Sequence, residues 1–171
     1  MRTPVLFAAL ATVIAAAPLA AQDKGSRQTR DYVQMAGQSD AFEMLEAQMA
    51  LTQSSDPQVR AFAQRMLQDH GQTSHSLAQA TAESGLKPPP MSVGADQAPL
   101  LAALQSVREP EFDKVYWRHQ VIGHSSALTT AQKYAADGDD PAVRQAAAAS
   151  VPVIIAHLAT AQQALVRTGA S

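Results

Sequence analysis

The stretch VRAFAQRMLQDHGQTSHSL, residues 59–77, decides the fold. At about 100° per residue, Val59, Phe62, Met66, His70, Thr73 and Leu77 share one stripe of an α-helix, with Asp69 on its flank. Ser55-Asp56-Pro57 just upstream supplies a cap and a proline for the first turn. Gly85 downstream is a C-cap for a helix ending near Glu83. A long amphipathic helix with a histidine on its apolar stripe needs partners, so the rest of the chain is read for other helices.

Upstream, a helical pattern starts near Arg30. Tyr32, Met35, Ala36, Ser39, Glu43, Glu46 and Ala50 form a broad face, widened by Phe42, Leu45 and Met49. Downstream, KPPPMSVGADQAP at 87–99 excludes helix through its prolines and glycine. It reads as a crossover spanning 86–108, with a short helix in its last part. A third long helix opens at Glu109-Pro110-Glu111 and carries Asp113, Tyr116, Trp117, Gln120, His124, Ala127, Ala131 and Tyr134. Asp140-Pro141 repeats the first Asp-Pro turn. A fourth helix follows with Val143, Ala146, Ser150, Val153, Ile154, His157, Ala161, Ala164 and Leu165, and a kink is expected at Pro152. Two helical hairpins joined by a long proline-rich crossover predict an all-α, ferritin-like four-helix bundle over 30–168.

Residues 1–21 read as a secretory signal peptide, with Arg2 before an apolar run and a small-residue exit at Ala20-Ala21. The polar 22–29 reads as a flexible lead-in. The expected compartment is the periplasm or the exterior, with no membrane anchor after cleavage. The net charge of −2 is dispersed, so no basic patch points to nucleic acid. The absence of cysteine excludes disulfides, thiolate metal sites and thiol nucleophiles. Protein partners and a homo-oligomer stay open.

Helical rise places four polar residues at comparable heights. Glu43 lies about 14 residues before Pro57 and His70 about 13 after it, so both stand roughly 20 Å from that turn. His124 and His157 lie about 15 and about 18 residues from Asp139, near one level of the second hairpin. Three imidazoles and a carboxylate suit a divalent transition metal such as zinc, iron or copper. Asp69 and Asp113 are candidates to orient the imidazoles from behind. A buried hydrogen-bond network without metal fits the same pattern, since buried polar groups must be satisfied. No Glu has a His three residues later, so the di-iron ferroxidase pattern is missing. His75 and His119 each lie about 140° from His70 or His124 around their helices, which places them on the surface. Glu46 is a reserve carboxylate suited to a salt bridge. Met35, Met49 and Met66 read as core packing, and Tyr116 and Trp117 as fillers between helices. No nucleophile elbow is found, so an enzyme is the least supported class.

The runs FAQRMLQDH at 62–70 and EFDKVYWRHQVIGH at 111–124, with Val151-Pro152, His157 and Ala161-Gln162, resemble one family's motifs. It is the bacterial family catalogued as domain of unknown function 4142, exported proteins with a ferritin-like helical bundle. The resemblance spans Tyr32 to about Val166 and implies fold and compartment, with no established activity. It carries recurring polar positions onto Glu43, Asp69, His70, Asp113, His124 and His157. Where the family commonly has Asp-His, this chain has Gly123-His124. Two readings follow: a non-enzymatic metal-handling protein using Glu43, His70, His124 and His157, or an interaction or envelope-stress module with a metal-free polar network.

Overall fold

Prolines at or just before three of the four helix starts, two of them with an aspartate cap, set off four long helices of equal length. The computed structural model describes residues 24–169. Among them are four helices of 27 residues: α1 (Arg27–Gln53), α2 (Pro57–Glu83), α4 (Glu111–Asp137) and α5 (Pro141–Arg167). A fifth, α3 (Ala98–Ser106), has nine residues and lies in the crossover. The four expected long helices are thus joined by a short one in the last part of the crossover, giving five helices and no strand among the described residues. The expected signal peptide at 1–21 lies outside the described residues.

Asp56 accepts from the amides of Gln58 (2.6 Å) and Val59 (3.3 Å), and Asp140 from Val143 (3.0 Å), each just before a proline at the helix start. Such caps satisfy amides that the helix itself leaves without acceptors. At the end of α2, Leu86 N–H donates to Thr81 O at 2.8 Å and Gly85 to Ala82 O at 3.1 Å, with Gly85 at φ +63°. This is the glycine-dependent helix stop expected at that position. Helix α1 begins earlier than expected: Ser26 caps it through Thr29 N–H, so the lead-in ends before Arg27.

The hairpin partners α1 and α2 pack together, as do α4 and α5. Helix α1 also packs on α4 and α2 on α5, while α3 touches α1 and α4. Helix α5 is continuous through Pro152. By length and composition alone it is apolar enough to cross a membrane, yet Val143, Ala147, Ile154, His157, Ala161 and Ala164 are buried against the other helices.

The apolar core has two parts. One, near the Pro57 turn, gathers Ala50, Val59, Phe62, Met66, Phe112 and Trp117, with Leu104 of α3 over it. Each large side chain buried there contributes about 1.5–3 kcal/mol. The other, at the opposite end, gathers Tyr32, Val33, Leu77, Tyr134 and Val143, with Tyr32 and Tyr134 stacked at 4.2 Å. Between them lie most of the buried polar side chains, Asp40, Glu43, Glu46, His70, His119, Gln120, His124 and His157, with Phe42 and Ile154 among them. Two residues assigned to the inner face of α1 lie outside the core: Met35 is 48% exposed and Leu45 40%. The inward arc of α1 runs instead through Asp40, Glu43, Glu46, Ala47 and Ala50, about 100° away from Leu45 at Glu46 alone.

Candidate metal centre

Each of three helices delivers one imidazole to the middle layer: His70 from α2, His124 from α4 and His157 from α5. All three are buried, with ring centroids 5.6, 5.5 and 5.2 Å apart. One nitrogen from each ring falls within 4.8 Å of the others.

The outer nitrogens settle where the protons are. His124 Nδ1 lies 2.8 Å from the backbone oxygen of Gln120. A carbonyl only accepts, so Nδ1 carries the hydrogen. Burial first, and then the charge of His70, push the His124 pKa down to about 3, so the ring is neutral and Nε2 is a bare lone pair. His157 Nε2 donates to Asp69 Oδ2 at 2.8 Å. Burial lowers its pKa as well, against the pull of Asp69, and leaves Nδ1 bare. Desolvation acts upward on Asp69, but hydrogen bonds from His157 and Arg65 hold its carboxyl below its usual value. His70 donates from Nδ1 to Asp40 Oδ1 at 2.8 Å, and its buried Nε2 has no hydrogen-bond partner.

His124 Nε2 and His157 Nδ1 therefore face each other at 3.3 Å as two lone pairs. Without a proton or another cation between them, this approach is repulsive. Metal–nitrogen bonds of about 2.0–2.1 Å at tetrahedral angles put nitrogens about 3.3 Å apart, the separation this pair already has. Closing His70 onto the same ion shortens its separations by at most about 1.5 Å.

The other expected residues are placed differently. Glu43 is 1% exposed and at the right height, but its Oε1 stands 3.6 Å from His124 Nδ1, on the outer side of that ring. It does not join the three converging nitrogens. Its room comes from Gly123: a Cβ there would lie 2.5 Å from Glu43 Oε1. The space beside His124 is thus taken by a carboxylate from α1. Asp113 is also displaced from its expected role. It sits in the first turn of α4 and its partner is Ser54 near the Pro57 turn, far from the imidazoles. Asp40, not singled out from the sequence, is the residue that orients His70. Its signal was a carboxylate one helical turn before Glu43.

His119, expected on the surface, is only 7% exposed and bonds Glu46 Oε1 through Nδ1 at 2.6 Å. Gln120 Nε2 donates to Glu43 Oε2 (2.8 Å) and Glu46 Oε2 (3.0 Å). This second polar cluster shares Gln120 with the first. Burial and the charge of Glu46 raise the Glu43 pKa well above its usual value, against the hydrogen bond from Gln120. Burial raises Glu46 too, opposed by His119. His75 is exposed, as expected.

A family described as "Domain of unknown function (DUF4142)" matches residues 15–164. No curated protein matches the chain. Two solved structures share the fold. One, a DUF305 fragment from Deinococcus radiodurans, has a TM-score of 0.72 at 17% identity, over 83% of this chain and 97% of its own. The other is "CopM in the Cu(II)-bound form", with a TM-score of 0.69 at 15% identity, over 81% of this chain and 96% of its own.

Proposed function

The chain belongs to the DUF4142 family, whose description names no activity, and from that premise we propose that it is an exported, non-enzymatic protein that binds one transition-metal ion. The ligands are Nε2 of His70, Nε2 of His124 and Nδ1 of His157, on a ferritin-like arrangement of the four long helices. One observation carries this reading: three buried rings, each with a nitrogen bonded to an acceptor, bring one nitrogen apiece to within 4.8 Å of the others. Asp40, the Gln120 carbonyl and Asp69 fix the tautomers, the usual arrangement behind metal-bound histidine. Neutral imidazoles suit copper, zinc, iron and nickel, and divalent copper binds most tightly in that series. The Cu(II)-bound neighbour agrees with copper as the first ion to try. The missing Glu-x-x-His pairs argue against ferroxidase chemistry.

A metal-free network is the second reading. It needs a proton on His157 Nδ1, donated to His124 and balanced by Asp69. Burial opposes that proton, because the His157 pKa is lowered. Metal analysis of untagged protein, followed by titration with Cu(II) and Zn(II), tests the proposal. Near-stoichiometric ion is expected. A folded protein that takes up neither ion overturns it.

A further inference from the structure

A partly open cavity of about 270 Å³ runs between α1, α2, α4 and α5 beside the imidazoles, with Asp96 and Gln97 of the crossover also lining it. Folded cores fill such space, and voids beyond the size of a water are few. Here Gly123, Ala127 and Ala131 of α4 and Ala146 of α5 leave it unfilled. Its walls combine the aromatic rings of Tyr32 and Phe42 and the aliphatic Leu77 with the carboxylate of Asp40. Asp40 is 7% exposed, and its bonds from His70 and Thr73 both end on Oδ1, so Oδ2 carries neither. Among the described residues lining the cavity there is no lysine or arginine, while Asp40 and Asp96 are both acidic.

We propose that this cavity binds a small organic cation, a protonated amine on an apolar body of roughly ten non-hydrogen atoms. A cavity of about 150 Å³ holds benzene, which sets that size. The ammonium group donates to Asp40 Oδ2, and the aromatic walls favour a cation over a neutral body. Anions are disfavoured by the two carboxylates. The cavity shares Asp40 and His70 with the candidate metal centre, so amine binding is tested with metal removed.

The test is calorimetric titration of chelator-treated protein at about pH 8, where an alkylamine is still protonated. The probes are 2-phenylethylamine, 2-phenylethanol and 3-phenylpropanoate. The amine should bind at least about tenfold tighter than the alcohol, and the carboxylate should not bind. Ala127→Phe, at a half-buried cavity position, should abolish amine binding while the melting temperature stays unchanged. Asp40→Asn should make amine and alcohol equal. No amine binding to the folded wild type, equal affinity for amine and alcohol, or undiminished binding in a folded Ala127→Phe variant overturns the proposal. Because chelator removes metal throughout, failure of the metal reading leaves this test intact.

Discussion

Two polar clusters occupy the same buried layer and share Gln120, yet they are built in opposite senses. Around His70, His124 and His157 the acceptors lie outside and bare nitrogens point inward, so the cluster lacks positive charge at its centre. Around Glu43, Glu46 and His119, donors stand between the carboxylates: Gln120 bridges both and His119 holds the second. Burial drives His124 and His157 toward their neutral forms, and it drives Glu43 and Glu46 the same way. For the imidazoles, neutrality exposes lone pairs that a cation can use. For the carboxylates, neutrality supplies hydrogens. The same desolvation thus prepares one cluster to take an ion and the other to close on itself.

The sharpest way to break this contrast is substitution. His70→Ala/His157→Ala should reduce metal content from near one ion per chain to none, measured by elemental analysis. His119→Gln, in the other cluster, should leave it unchanged; loss of metal there would erase the distinction between the two.

Acidity separates the clusters in sign. The lowered His124 pKa means the unfolded chain binds a proton that the folded chain refuses between about pH 3 and 6.5. Stability of the metal-free protein should therefore rise with pH across that window, by up to about 1.4 kcal/mol per pH unit. The raised Glu43 pKa acts oppositely: the unfolded carboxyl loses its proton first, so stability falls as pH rises above about 4.5. Glu43→Gln should then stabilise the protein at neutral pH and leave it unchanged near pH 4. Urea denaturation at both pH values measures this, and equal gains at both would contradict it.

Smaller effects probe the supports. Asp40→Asn should weaken metal affinity about 10–100-fold without changing stoichiometry, as loss of an orienting partner does. An unchanged affinity would remove Asp40 from the site's design. Gly123→Ala should cost about 1 kcal/mol, because its Cβ displaces a carboxylate pinned by Gln120. In a Glu43→Ala background the same change should become neutral or favourable, since alanine is the better helix former.

The helices were legible because their punctuation is local. Asp-Pro steps, the proline-rich crossover and Gly85 act within a few residues, and the 3.6-residue period does the rest. The common height of the three histidines was likewise a matter of rise per residue. Direction around a helix was harder to read. Glu43 shares that height but faces the back of His124, because Gly123 opens space against α4 that a helical wheel of α1 does not contain. His119 was placed outside because it lies about 140° from His124. Helix α4 packs on both α5 and α1, however, so its buried arc exceeds one stripe and His119 meets Glu46 of α1. Asp40 went unnoticed for the same reason, as its partner comes from another helix.

The placement of the three imidazoles also bears on the chain as a polymer. His70 belongs to the first hairpin, His124 and His157 to the second, and the whole crossover lies between them. A chain without cysteine has no disulfide to tie those halves. An ion held by all three rings would close the long loop by coordination, limiting the separations the unfolded halves can explore as a covalent cross-link does. Cleavage within the crossover would then yield two fragments held together by the ion as well as by packing. The protein's tolerance of a nicked backbone would follow the supply of metal.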